Sequence, residues 1–259
     1  MVKPKTAEEI ELLRENAILV SKTLAEVGKH VAPGVTTKEL DTLAETFIRD
    51  HGAIPSFKGF EGFPSALCMS VNDVVVHGFP SDYVLKDGDI VSVDCGTLYK
   101  GYQGDSAYTF PVGEISAETR KLLDVTKQSL YEGIKAAVAG ARTGDIGYAV
   151  QSYVESFGFS VVRELEGHGL GREMHEAPGI PNFGRRGHGA KLADGLVICI
   201  EPMICAGGRG VYLANNGWAV HTADHKNAAH YELTVVVRKG GAEQLSTFEF
   251  IEGKQEESN

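Results

Sequence analysis

The chain has 259 residues, with 25 Lys and Arg against 35 Asp and Glu, a formal net charge of −10. That balance excludes a protein whose work is holding nucleic acid or anionic membrane, since both demand net positive charge. With 42% hydrophobic and 23% charged residues it reads as an ordinary globular chain, long enough for one large α/β domain or two smaller ones of roughly 150 residues.

Thr6 to Glu9 spells a capping box, and Ile10, Leu13, Ala17, Val20, Leu24 and Val27 behind it step by three and four along one helix face. Pro33-Gly34 ends that helix. A second box, Thr36 to Glu39, opens a helix bearing Leu40, Leu43, Ala44 and Phe47 that runs to Gly52. A third helical stretch extends from about Ala117 to Gly140. Asp145 is expected to cap a fourth helix bearing Ile146, Ala149, Val150, Tyr153, Val154 and Phe157, with Gly158 as its stop. No apolar run approaches the ~18 residues of a membrane span. The opening Met1-Val2-Lys3-Pro4-Lys5 leads into acidic residues and not into a secretory signal, so the expected location is cytoplasmic. Cys68, Cys95, Cys199 and Cys205 lack C-x-x-C spacing and sit among apolar neighbours, the setting of buried reduced thiols.

The chain also repeats itself. Gly34 to Gly52 spans eighteen steps, as does Gly140 to Gly158, with Leu40 on Ile146, Leu43 on Ala149 and Phe47 on Tyr153. At an offset of 107 the run from Asp87 to Asp94 falls on the run from Asp194 to Glu201: a turn, a β-rich stretch, a carboxylate at the strand end. Chance brings apolar patterns together often. Two carboxylates on equivalent positions favour a duplicated helix–helix–strand half that closes around a central site. The expected organisation is one domain over residues 1–253 and a short polar tail, 254–259.

Four β-rich segments carry an acid: Asp94, Asp105, Glu201 and Glu232. Taken alone, each reads as a strand end or a cap. Carboxylates are rarely buried without a partner, and few basic residues stand near these four. One metal ion would supply the missing charge, and two would supply it better. His168, within Glu166-Gly167-His168-Gly169, adds a nitrogen ligand. Mixed carboxylate and imidazole donors suit Mn, Fe, Co or Zn rather than Ca. His77 and His175 are weaker signals alone, since a lone histidine more often packs than reacts. His188, His221, His225 and His230 have polar neighbours and receive no role.

These residues resemble the type I methionine aminopeptidases. The resemblance rests on Ser70-Val71-Asn72-Asp73-Val74-Val75-Val76-His77-Gly78, the Asp94 strand, Gly104-Asp105, Gly167-His168-Gly169, Met174-His175-Glu176, Ile200-Glu201-Pro202-Met203 and Tyr231-Glu232, in the family's order across most of the chain. It implies the pita-bread fold: an α/β chain of pseudo-twofold halves with a curved antiparallel sheet and helices on its outer face. It implies two divalent ions, Asp94 serving one, Asp105 and Glu232 bridging both, His168 and Glu201 completing the other. Glu201 then also takes the proton of the attacking water, and His77 and His175 act on the substrate without binding metal. The implied reaction removes the first methionine of nascent polypeptides when the second residue is small. Nothing in the chain demands more than a monomer, and nascent polypeptides, with transient ribosome contact, are the expected partners in the cytoplasm. Phe57, Phe60, Phe63, Cys68, Met174 and Trp218 stand where the family lines its methionine pocket. Some members carry tyrosines at Phe60 and Phe63 and an aromatic at Met174, so rim chemistry departs here. Two other readings compete. A proline-directed relative would share the ligands, but such relatives carry a large N-terminal domain for which this chain leaves no room. A binding module that had lost its chemistry would have shed ligands, and all five are present.

Overall fold

The computed structural model describes residues 3–253, so the expected polar tail at 254–259 lies outside the described residues. Helices α1 (Ala7–Gly28) and α2 (Thr37–Asp50) precede strands β1 (Ile54–Pro55), β2 (Leu67–Val71), β3 (Val74–Val76), β4 (Ile90–Tyr99) and β5 (Tyr102–Pro111). Helices α3 (Ala117–Ala136) and α4 (Thr143–Ser156) then precede β6 (Ser160–Val161), β7 (Gly167–Gly169), β8 (Glu176–Ile180), β9 (Val197–Ile200) and β10 (Met203–Cys205). The chain continues through β11 (Val211–Leu213), β12 (Val220–Thr222), β13 (Ala228–His230), β14 (Leu233–Val236), β15 (Glu243–Gln244) and the short α5 (Glu249–Glu252). In the first half β4 is flanked by β1, β2 and β5; in the second the order is β15-β14-β9-β7-β8. Two smaller sheets, β13-β10-β6 and β11-β12-β3, close the ends. Among the described residues no helix is long and apolar enough to cross a membrane.

Both capping boxes form. Thr6 Oγ1 accepts from the Glu9 N–H at 3.2 Å while the Glu9 carboxylate accepts from the Thr6 N–H at 2.9 Å. Thr36 and Glu39 do the same at 3.2 and 2.7 Å. Asp145 is not the cap of α4. That position belongs to Arg142, and Asp145, one turn in, accepts from the Arg142 and Gly187 N–H groups, each at 2.8 Å. α3 stops at Ala136, short of Gly140, because the following backbone bonds to distant segments: Ala139 N–H donates to Arg238 C=O at 3.0 Å and Gly140 N–H to Leu192 C=O at 2.9 Å.

The internal repeat is present bond by bond. Gly34 N–H donates to Leu85 C=O at 2.8 Å, the counterpart of Gly140 to Leu192. Thr37 to Tyr83 (3.1 Å) recurs as Thr143 to Ala190 (2.9 Å), and Lys38 to Ser81 as Gly144 to His188, both at 3.0 Å. Gly34 and Gly140 share left-handed φ values of 96° and 98°, which a side chain adopts only under strain. The expected strand end at Asp94 differs: β4 runs on to Tyr99, because its partner β5 is equally long and pairs along its whole length.

Alternation along the strands sorts the side chains. Val91, Val93, Cys95, Tyr108 and Phe110 join Val20, Leu24, Leu130 and Ile146 in one core, as do Ile198, Ile200 and Leu233. Asp94, Asp105, Glu201 and Glu232 have the opposite parity and point away from it. A buried polar residue ties helix α1 to the β4–β5 hairpin beside their apolar contacts. Asn16, fully buried, donates to the Thr97 and Tyr102 carbonyls at 2.8 Å each and accepts from the Thr97 hydroxyl. Asn16→Ala strands those groups, and we expect a loss of about 2–4 kcal/mol. The check is a lower denaturant midpoint at unchanged m-value; an unchanged midpoint would show that the contact carries no stability.

Candidate metal centre

Two strand registers position the acids. Lys100 and Gly101 form the two-residue loop between β4 and β5, with φ of 51° and 79°. Such a turn matches the strand twist, and the second position favours glycine. It sets Gly96 opposite Asp105 and Asp94 opposite Ala107. A slip of one residue would drive both carboxylates into the core. In the second half Ile200 pairs with Leu233, so Glu201 and Glu232 follow and precede paired residues. The halves are joined at the site: Glu232 N–H donates to Ala107 C=O at 2.9 Å, Ser106 Oγ to Glu232 C=O at 2.6 Å, and Thr234 Oγ1 to Asp105 C=O at 2.7 Å.

His168 Nδ1–H donates to Gly169 C=O at 2.9 Å, which leaves Nε2 with its lone pair facing the acids. Nε2 lies 3.7 Å from Asp105 Oδ2 and 3.6 Å from Glu201 Oε1. Ligand atoms of Asp105, His168, Cys199 and Glu232 all fall within 4.8 Å of one another. Asp94 Oδ1, Asp105 Oδ1 and Glu232 Oε1 are buried without a hydrogen-bond partner among the described residues. The ion-pair neighbours that Asp105 and Glu201 do have there are imidazoles, not Lys or Arg.

Without a cation this arrangement is costly. Burial pushes Asp94 up to about 6. Burial, and then repulsion among the acids, holds Asp105, Glu201 and Glu232 well above the usual carboxylate range. Burial presses His168 and His77 down to about 4, so both are neutral at neutral pH. Orphaned carboxylate oxygens, a neutral imidazole with its proton anchored elsewhere and no basic residue fit a divalent ion of the Mn, Fe, Co or Zn kind.

A cavity of about 270 Å³ opens beside the acids, and Phe57, Phe60, Phe63, Cys68, Met174 and Trp218 all line it, with His77 and His175. Phe63 meets Trp218 edge-on at 5.1 Å, and His175 packs between Phe60 (5.6 Å) and His168 (4.5 Å). A Cβ on Gly96 would fall 2.5 Å from Phe57 and 3.0 Å from the Met174 methyl, so the bare backbone makes room for the cavity floor. His77 is held at a left-handed φ of 59°, a strained conformation of the sort that collects at functional sites.

Two residues of the cluster were not expected from the sequence. His230, given no role on its supposed polar setting, is 1% exposed and lines the cavity. Cys199 was expected only as a buried thiol, and its thiol is held neutral by burial. Each stands two residues before an acid, Glu232 or Glu201, in the strand that leads up to it. That two-residue spacing was the available signal. His188, His221 and His225 stay outside the cavity. All four cysteines are free and buried.

The sequence profile described as metallopeptidase family M24 matches residues 11–239. A methionine aminopeptidase of Clostridium acetobutylicum is 51% identical over 250 residues, 96% of this chain and 100% of that protein. The crystal structure of methionine aminopeptidase from Rickettsia prowazekii superposes with a TM-score of 0.94 at 40% identity, covering 95% of this chain and 100% of that one. A prolidase structure from Pyrococcus horikoshii shares the fold at 20% identity and TM-score 0.75, covering 94% of this chain and 63% of the other.

The charge balance yields a pH test. Acids with raised folded values contribute stability that is complete below their usual range and lost as pH rises, through about 6 for Asp94 and well above the usual carboxylate range for the other three. The depressed imidazoles act in the opposite sense, but their window closes at the usual 6.5. Metal-stripped protein should therefore lose thermal stability as pH rises past about 6.5, where the imidazole contribution is complete, and divalent metal at 100 times its Kd should return about 2.7 kcal/mol. A stripped protein whose melting point climbs above that pH would contradict the charge balance.

Proposed function

The chain belongs to metallopeptidase family M24, among its methionine aminopeptidases and with their pita-bread fold, and on that premise we propose that Asp94, Asp105, His168, Glu201 and Glu232 hold two divalent ions for the removal of initiator methionine. The observation that carries the reading is the convergence of four buried acids and the free His168 Nε2 at one end of an aromatic cavity.

Asp94, Asp105, His168, Glu201 and Glu232 would hold the ions, with Asp105 and Glu232, which lie between the other ligands, shared between the two. When bound, the ions supply a Lewis acid for the scissile carbonyl and an attacking water whose pKa falls towards ~7. Glu201, on the open side of the cluster with its side chain 13% exposed, takes that water's proton. His77 and His175 are neutral, and each offers one N–H and one lone pair to the peptide from the cavity wall. The cavity receives the first side chain. Phe57, Phe63 and Trp218 present aromatic edges and Cys68 and Met174 present soft sulfur, a surface that suits a thioether. Substrates are polypeptide N-termini with a small second residue. The same reading sets the enzyme in the cytoplasm as a monomer, and the net charge of −10 supports no more than transient contact with the ribosome.

Peptide series separate this reading from a proline-directed one. Met-Ala should be cleaved and Ala-Pro spared, with Leu-Ala slower than Met-Ala by roughly 10–200-fold, the reach of an apolar pocket. Lys-Ala should fail, since nothing in the pocket wall repays desolvation of its charge; cleavage of Lys-Ala at the Met-Ala rate would misplace the pocket.

His77→Ala and His175→Ala should keep their metal and lower kcat/KM by about 10²–10⁴-fold. Metal content by elemental analysis decides it: a variant that loses an ion carries a ligand and not a substrate contact.

A further inference from the structure

We propose that His230 is a sixth side chain of the metal centre, supplying a second imidazole nitrogen beside Glu201. The proposal rests on the ligand set just given, and it adds a residue to that set. His230 is 1% exposed, and neither ring nitrogen has a hydrogen-bond partner among the described residues. A neutral imidazole carries one donor and one acceptor, and a buried ring with both idle is rare in a folded protein.

The ring is not free to turn out. His230 closes β13 opposite Met203, and Thr109 Oγ1 clamps its backbone from both sides, accepting from the His230 N–H at 2.9 Å and donating to its C=O at 2.7 Å. It stands two residues before Glu232, at the end of β13, and lines the same cavity as that acid. Its Nε2 lies 3.6 Å from Glu201 Oε2, while His168 Nε2 lies 3.6 Å from Glu201 Oε1. One carboxylate is thus flanked by an imidazole at each oxygen. That separation is too long for a hydrogen bond. It is close to the roughly 3.3 Å between two ligands on one tetrahedral ion with bonds near 2.0–2.1 Å.

The two imidazoles differ in support. His168 is anchored through Nδ1 to Gly169, and His230 has no such anchor, so His230 is the weaker ligand and the one whose order depends on the ion. A second imidazole moves the preference of the centre towards Fe, Co and Zn and away from Mn and Mg.

The experiment titrates metal-stripped wild type, His230→Ala and His230→Gln with CoCl2, read by calorimetry and by the visible Co(II) spectrum. We expect both variants to keep one site at wild-type affinity, to bind the other at least about 10-fold more weakly, and to show an altered spectrum. Free imidazole should restore the spectrum in His230→Ala. Unchanged affinities with an unchanged spectrum in both variants overturn the proposal. Should either variant fail to fold by circular dichroism, Co(II)-loaded wild type is read by proton NMR. Two hyperfine-shifted imidazole N–H signals support His230, and one overturns it. A wild type that binds a single ion sinks the two-ion reading alone, and the variants then test His230 on that ion's affinity.

Discussion

Carboxylates that share one water-excluded volume cannot all stay ionised without a cation among them. In this protein Asp94, Asp105, Glu201 and Glu232 are brought to that state by the backbone itself. The long hairpin, the β9–β14 register and the hydrogen bonds between Ala107 and Glu232 leave the acids no alternative direction. The fold tolerates the repulsion because the strands carrying it are anchored on their other face by an extensive apolar core. Stability is thus set aside at the centre and recovered in the surrounding layers, and binding a divalent ion returns it.

The same backbone separates binding from chemistry. Phe57, Phe63, Cys68, Met174 and Trp218 line the apolar side of the cavity and, on the proposed reading, would discriminate by shape, an effect of only a few kcal/mol. The acids and imidazoles at the far end act by charge, which is stronger where water is excluded. Gly96 lies between the two regimes: it follows Asp94 by two residues, pairs with Asp105, and leaves the space that Phe57 and Met174 fill. A change there would reach specificity and the ligand geometry together.

Much of this was legible in the chain. The boxes at Thr6 and Thr36 mark helix starts because their side chains bond locally, and local bonds survive in sequence. The repeat was visible because its turns need glycine at fixed spacing, as at Gly34 and Gly140. The acids stood out because β-rich context and charge conflict. What escaped depended on distant partners. The extent of β4 beyond Asp94 is decided by β5, and the end of α3 by carbonyls of Arg238 and Leu192. His230 escaped because its two-residue spacing to Glu232 spans the break between β13 and β14, so no single strand pattern carries both residues.

The duplicated halves did not keep equal duties. The first contributes Asp94, Asp105, His77 and most of the aromatic wall; the second contributes Glu201, Glu232 and the imidazoles of His168, His175 and His230. A centre built from two separate identical subunits would present every residue twice, and any substitution would strike both sides at once. Joined as one polypeptide, the copies could drift independently. One supplies most of the aromatic wall and the other most of the imidazole nitrogens, while the paired turns at Gly34 and Gly140 keep the same backbone conformation. Covalent joining of the two halves lets a nearly symmetric backbone present different side chains on its two sides.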